Sequence, residues 1–364
     1  MKILQLSKYY PPTHGGLEQV AEFFSRTFID LGYSVDIVSL GNKKDFYHGL
    51  YGENVYQARE DIKLGSSPLS IGYYQHVKHL IEKEAPQFLL VHLPNPFAHE
   101  VIKHFFSFFK EKKIKILGIY HSDIINQVVL RDAYNLYFSN HLHVYDYFIC
   151  SSRNLKNSSS ILSKLSDDKV KVIPFCVEHS FMAKSQNRNS QFNGKFLTIG
   201  RMVPYKGYEF LIQAFKNLPY TLTVVGNGPL KDKLKAMASP NVHFAGQITE
   251  EEKFNLLTSH DALIMSSINR AEAYGMTIVE AFSVGLPVIA SNIDTGVSFL
   301  VRDGETGYKF PIKDEAGLLA QIESVARDPQ TTQRLSKACR DFFNTSLNYS
   351  AFRENLKRLI AEIS

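Results

Sequence analysis

Three cysteines in 364 residues, Cys150, Cys176 and Cys339, are odd in number, far apart and without a C-x-x-C pair. They imply neither a disulfide framework nor a zinc site, and point to a reducing, cytoplasmic compartment. The apolar start, Ile3 to Leu6, is interrupted by Gln5 and stopped by Lys8, too short for the core of a signal peptide. No run approaches the ~18 apolar residues of a membrane span, so a membrane would be met peripherally, at its surface. An excess of one charge is also lacking. Lys+Arg 41 against Asp+Glu 36 leaves a net +5, spread as 20 basic and 18 acidic side chains in residues 1–180 and 21 and 18 in the remainder. That evenness argues against a nucleic-acid partner.

Several catalytic signatures are missing as well. Without G-x-x-x-x-G-K-[ST] the chain is not a phosphate-loop nucleotidase, and without G-x-S-x-G it has no nucleophile elbow. Gly226-Asn227-Gly228-Pro229 follows a strand-like run but lacks the third glycine of a dinucleotide fold. His99 and His104 resemble a zinc-protease pair, but a five-residue step turns the second imidazole about 140° from the first on a helix. His76 and His79 share a helix face with no acidic third ligand beside them, which reads as a polar face. No two aspartates are separated by a single residue, so a metal-held diphosphate is disfavoured and no metal or cofactor is expected.

What the chain has is an alternation of short β-rich runs with helical stretches, made twice, as in a doubly wound parallel α/β sheet. The first series of strands is Ile3 to Leu6, Ser34 to Ser39, Phe88 to His92, Lys115 to Tyr120, Tyr147 to Cys150 and Val170 to Pro174. Helices are expected over Glu18 to Leu31, Tyr73 to Glu84 and Ala98 to Glu111. The second series is Lys195 to Gly200, Thr221 to Val225, Val242 to Phe244, Ala262 to Ser266 and Pro287 to Ala290. Polar Glu178 to Asn193 reads as the connection between them. The division is therefore 1–178, 179–345 and a C-terminal helix, 346–364, that packs on either domain. Two such sheets suit a shared cleft between Rossmann-like domains and a reaction of two substrates.

The densest chemistry lies in the second half. Arg201 and Lys206 sit five residues apart on a strand-end loop shaped by Pro204 and Gly207, two cations suited to a diphosphate without a metal. Downstream runs Glu272-Ala273-Tyr274-Gly275-Met276-Thr277-Ile278-Val279-Glu280. Gly275 lets the backbone approach a ligand, and a helix beginning at Met276 or Thr277 offers free N–H groups to an anion. The two glutamates, roughly 12 Å apart if the segment were fully helical, are on the scale of a diphosphate with a sugar at each end.

The E-x7-E element, with Gly275 inside it and Gly285-Leu286-Pro287-Val288-Ile289-Ala290 after it, resembles the signature of the retaining glycosyltransferases of family four, which have the GT-B fold. Arg201 to Gly207 is similar to that family's R-x4-K-G element. Tyr10 to Glu18 is similar to its N-terminal glycine-rich loop, and Val172-Ile173-Pro174 to the start of its interdomain segment. The resemblance implies two Rossmann-like domains facing a central cleft. It implies that Arg201 and Lys206 neutralise the departing diphosphate, that Gly275, Met276 and Thr277 hold phosphate and sugar hydroxyls, and that Glu272 binds the sugar and Glu280 the ribose. Gly15 and Gly16, in a loop ahead of the first helix, would approach the diphosphate from the first domain, and His121 matches the active-site histidine near the donor sugar.

Two places depart from the family pattern: Phe175-Cys176 stands where asparagine and glycine are usual, and the loop from Asn292 to Phe299 carries one glycine, so it is given no donor role. The implied partners are a nucleotide-sugar donor, with GDP-mannose preferred over UDP-sugars, and a saccharide or lipid-linked saccharide acceptor of polysaccharide or lipopolysaccharide assembly. The acceptor is expected at the loops Pro94-Asn95-Pro96 and His121 to Asn126. A membrane surface is a further expected partner. Ile102, Phe105, Phe106, Phe108 and Phe109 among Lys103, Lys110, Lys112, Lys113 and Lys115 suit either a helix on anionic lipid or a core helix ended by lysines. The alternatives to a transferase are a nucleotide-sugar epimerase and a catalytically idle sugar-nucleotide binding protein.

Overall fold

A computed structural model describes residues 1–13, 15–64, 67–125, 128–178, 192–326 and 328–364. The chain forms two compact units, one of Met1–Ser151, Lys156–Ile173 and Arg353–Ser364, the other of Ser152–Leu155 and Pro174–Phe352. Most of the expected connection, Glu178 to Asn193, lies outside the described residues.

The first series of elements is β1 (Lys2–Leu6), α1 (Gly16–Asp30), β2 (Ser34–Gly41), β3 (Asp45–His48), β4 (Asn54–Arg59), β5 (Ile62–Leu64), β6 (Ser67–Leu69), α2 (Ile71–Lys83) and β7 (Phe88–Leu93). It continues with α3 (Pro96–His104), α4 (Phe106–Glu111), β8 (Lys115–Tyr120), α5 (Val128–Asn140), β9 (Tyr147–Cys150), α6 (Arg153–Ser158) and β10 (Val170–Val172). Eight strands form one sheet in the order β10-β9-β8-β7-β1-β2-β4-β3, parallel except for the edge strand β3. All six residues of β7 are buried, which is why Phe88-Leu89-Leu90-Val91 reads as an unbroken apolar run rather than an alternating one. Helix α1 covers the sheet with Phe23, Phe24 and Phe28. The helix expected over Ala98 to Glu111 is two helices that meet at Phe105, whose ring packs against Tyr74 with centres 5.3 Å apart. The rejected zinc pair behaves as its spacing requires: His99 is fully buried and His104 exposed on opposite sides of α3.

The second series is β11 (Lys195–Ile199), α7 (Tyr208–Phe215), β12 (Thr221–Val225), α8 (Lys231–Met237), β13 (Val242–Gly246), α9 (Glu250–Ser259), β14 (Ala262–Met265) and α10 (Met276–Ser283). After these come β15 (Val288–Ser291), α11 (Gly296–Leu300), β16 (Gly307–Phe310), α12 (Glu315–Ala326), α13 (Pro329–Phe342) and α14 (Tyr349–Ile363). The six strands are all parallel, ordered β13-β12-β11-β14-β15-β16. Phe196, Leu211, Phe215, Ile264 and Ile322 fill the space between this sheet and its helices. From β11 the chain winds outward through β12 and β13, then returns to β14 on the other side of β11. The strand order therefore reverses between β11 and β14, the point in such a sheet where loops diverge and leave a crevice. In the first sheet the same reversal falls between β1 and β7.

Candidate active site

In the second unit the loops leaving β11 and β14 flank the reversal; they carry the predicted cations and Glu272, and Glu280 lies in helix α10 that follows. The β11 loop is tied to the β14 loop by backbone and side chain: Ile268 N–H donates to the Tyr205 carbonyl (2.8 Å) and Ser266 Oγ–H to the Lys206 carbonyl (2.9 Å). Gly207 makes that approach possible. Its φ is +69°, and a Cβ there would stand 2.0 Å from the Ser266 carbonyl oxygen. The glycine after Lys206 is thus fixed by packing as well as by backbone angle.

Lys206 and Arg201 are not equivalent. The Lys206 ammonium lies 2.6 Å from Glu272 Oε2, with side chains only 14% and 9% exposed, and the same oxygen accepts from Ser267 Oγ at 3.0 Å. Burial alone would lower the lysine, but the Glu272 carboxylate outweighs it and holds the group above the ordinary lysine value. Arg201 is exposed and forms no ion pair among the described residues. The expected two-cation clamp is therefore one paired, buried ammonium and one solvated guanidinium.

Helix α10 begins at Met276 behind Gly275, which takes the left-handed conformation (φ +87°). No side chain caps this end, so the first amides, at Met276 and Thr277, are left to solvent or an anion. Only the second half of the Glu272–Glu280 interval is helical. Glu280, buried within α10, receives the Lys253 ammonium of α9 at 2.8 Å, and Lys253 also meets Glu250 at 2.9 Å. Burial works against the Lys253 charge, and the two carboxylates, Glu280 foremost, reverse the balance and raise it.

The first unit supplies two further segments. The loop after β1 is held by Tyr10 Oη–H to Glu53 (2.8 Å) and Tyr9 Oη–H to Glu60 (2.7 Å). Gly15 is extended and caps α1, and Gly16 is the first residue of that helix rather than part of the loop, because Gln19 N–H already bonds to the Gly15 carbonyl (3.1 Å). His121 directly follows β8, 4% exposed, with its N–H on the Leu93 carbonyl and Nε2 2.8 Å from His92 Nδ1. Burial pushes its imidazole down to about 3, so the ring is neutral at physiological pH. Of the expected acceptor loops, Asn95 is committed to capping α3 through Ala98 N–H (3.2 Å), and Asn126 lies outside the described residues. No three His, Cys, Asp or Glu side chains converge as metal ligands among the described residues.

The family model for glycosyl transferases group 1 matches residues 182–342, and that for glycosyltransferase family 4 matches residues 14–181. The chain belongs to the group 1 glycosyltransferases. Relatives extend over nearly its full length. The D-rhamnosyltransferase WbpZ of Pseudomonas aeruginosa is 29% identical over 93% of this chain and 90% of that protein. The O-antigen chain mannosyltransferase C of Escherichia coli is 28% identical over 94% and 93%. Among solved structures, sucrose-phosphate synthase from Thermosynechococcus elongatus has a TM-score of 0.79 at 18% identity, over 100% of this chain and 98% of that one. Anabaena HepE in complex with UDP has a TM-score of 0.74 at 19% identity, with both chains fully covered. The fold is that of the GT-B glycosyltransferases.

Within this glycosyltransferase, several supporting residues carry no family spacing. Thr295 Oγ–H donates to the Glu272 carbonyl (2.8 Å), and Gly296 N–H to the Ala273 carbonyl (2.8 Å). The loop that departs from the family pattern therefore braces the Glu272 segment. A Cβ at Gly296 would meet Tyr274 at 2.4 Å, so its single glycine is where the two loops touch. Phe175, the other departure, accepts the Tyr274 hydroxyl on its carbonyl at 3.0 Å, a bond that depends on backbone and not on the side chain found there. Lys253 and Ser267 were equally invisible, each being the partner of a motif glutamate from a distant or unmarked position.

Proposed function

We propose that this glycosyltransferase retains anomeric configuration while moving a hexose from a nucleotide-diphosphate sugar to a hydroxyl of a saccharide or lipid-linked saccharide, in O-antigen or related polysaccharide assembly. The observation that supports this best is the gathering of Arg201, Lys206, Glu272 and the uncapped start of α10 around the β11/β14 reversal, with Glu280 one turn further on. In this reading the α10 amides and Arg201 hold the diphosphate, Lys206 bridges leaving phosphate and Glu272, Glu272 receives the sugar hydroxyls and Glu280 the ribose diol. Gly15, Gly16 and His121 are read as donor residues of the first unit, and the acceptor binds that unit.

Transfer breaks the bond between the anomeric carbon and the phosphate oxygen, and the electron pair leaves with the nucleoside diphosphate. Cations and amides placed at that oxygen stabilise the charge as it develops, the contribution that lowers such a barrier most directly. The acceptor oxygen then attacks the face the diphosphate has left, and its proton passes to the departing phosphate. No protein nucleophile is required, and the chemistry proceeds without a metal because the neutralising charge comes from the chain. GDP-mannose is the first donor to test, since one relative is named a mannosyltransferase, and UDP-glucose the second, since HepE is solved with it. A thermal-shift screen of GDP-, UDP-, ADP- and dTDP-sugars should show one class stabilising the protein well above the others, followed by acceptor-dependent nucleotide release. Stabilisation by none of them would overturn the proposal.

A further inference from the structure

We propose that His92 is a positioning residue for His121, fixing which nitrogen of that ring carries the proton. The inference rests on the reading of His121 as a residue that serves the donor sugar.

His92 is the fifth residue of β7 and His121 the first after β8, its neighbour in the sheet, where Leu93 pairs with Tyr120. Their rings lie 19° from coplanar with centres 5.1 Å apart, and His92 Nδ1 is 2.8 Å from His121 Nε2. A ring nitrogen sits about 1.2 Å from its ring centre, so nitrogens in contact along the line of centres require a separation of about 5 Å. The rings therefore meet edge to edge in one plane, the geometry of an N–H···N hydrogen bond, and not face to face. Phe24 presses on His92 in a T-shaped contact (5.8 Å, 82°), which fixes the plane of that ring.

Both rings are almost fully buried, 6% and 4% exposed, and burial depresses both below the ordinary histidine range. Two neutral imidazoles joined by one bond leave two proton arrangements. If His121 donated from Nε2, His92 would have to carry its proton on its own Nε2, a buried atom with no partner. If His92 donates from Nδ1, the unpartnered atom is a bare lone pair. An orphaned buried N–H is the rarer and costlier of the two conditions. His92 is thus the donor, and His121 is held with Nε2 occupied and its proton on Nδ1. In that form the ring is unavailable as a base through Nε2.

The test is ¹⁵N imidazole NMR on the full-length protein without nucleotide, together with kinetics of His92→Asn, whose amide can replace the Nδ1–H, and His92→Phe, which cannot. The wild-type spectrum should show His121 Nε2 unprotonated and coupled to a protonated His92 Nδ1; a protonated His121 Nε2 overturns the proposal, whether or not any variant folds. His92→Phe should lower kcat by about 10- to 100-fold with KM for the donor little changed, the scale of loss when a metal-bound histidine is deprived of the partner that orients its ring. His92→Asn should restore most of the rate. Equal losses in both variants would reduce His92 to a space-filling residue and also overturn it. If His121→Ala turns over normally while the spectrum is as expected, the reading of His121 fails and the tautomer assignment stands.

Discussion

Replacing Lys206 by Met removes one charge of a buried pair and separates two roles that the ammonium is assigned. Glu272 would keep only the Ser267 hydroxyl, 3.0 Å away, while remaining 7% exposed. Stranding one member of a buried pair costs about 3–5 kcal/mol. The upper end is limited by protonation: a carboxyl of ordinary pKa takes up a proton at pH 7 for about 3.7 kcal/mol. A loss of about 3–4 kcal/mol is therefore expected, or about 6–16 °C in the unfolding of a unit this size. Turnover should fall by about 10² to 10³, as when one donor to a developing anion is removed. The double variant Lys206→Met with Glu272→Gln separates the effects, because it removes both charges. It should regain most of the thermal stability and none of the transfer. Unfolding is followed without nucleotide, and transfer as initial-rate nucleotide release with donor and acceptor present. Turnover within a few fold of wild type in Lys206→Met, or recovery of turnover in the double variant, would refute the assignment of Lys206 to the leaving phosphate.

Lys253→Met should weaken nucleoside diphosphate binding by about tenfold and narrow the preference for ribose over 2′-deoxyribose, because Glu280 loses the charge-assisted bond that orients it; calorimetry with both sugars checks this, and an unchanged preference removes Lys253 from the account. Acid should destabilise the first unit. His92, His99 and His121 are buried and neutral, with His99 and His121 pushed down to about 3, so below the ordinary value near 6.5 the unfolded chain binds more protons than the folded one. The contribution of His99 and His121 is complete above pH 6.5 and is lost as pH falls towards 3, at about 1.4 kcal/mol per unit for each of these two rings, and His92 acts in the same direction. A transition temperature constant from pH 8 to 5 would contradict this. Ile102 and Phe109 are buried in the core, leaving Lys110 at the end of α4, Lys112 and Lys113 just after it, all exposed, and half-buried Lys115 at the start of β8 as the main candidates for lipid contact. Replacing Lys110, Lys112, Lys113 and Lys115 by Ala should abolish salt-sensitive co-sedimentation with anionic liposomes, and unchanged sedimentation eliminates the patch.

The central strands were legible because burial on both faces writes a continuous apolar run, as in Phe88-Leu89-Leu90-Val91 and Ala262-Leu263-Ile264-Met265. Strands at or next to a sheet edge leave a fainter mark. β3 buries none of its four residues, β4 buries only Val55 and Ala58, and β16 is Gly-Tyr-Lys-Phe with buried ends, so none announces itself by pattern. In the site, glycines and glutamates were readable because backbone angle and spacing constrain them locally. Their partners were not. Lys253 reaches Glu280 across 27 residues and Thr295 reaches Glu272 across 23, distances that only the sheet order brings together. The difference between Lys206 and Arg201 was hidden for the same reason: spacing shows two cations on one loop, and only packing shows which one is already paired.

A nucleoside diphosphate bound where the strand order of the second sheet reverses is central to the proposed transfer. A crystal structure of the full chain with the best donor of the screen, or with its nucleoside diphosphate, tests that most directly. The diphosphate is expected on the amides of Met276 and Thr277 beside Arg201 and Lys206, with the ribose hydroxyls on Glu280. A nucleotide seated with its phosphates away from α10, or with its ribose hydroxyls away from Glu280, would contradict this.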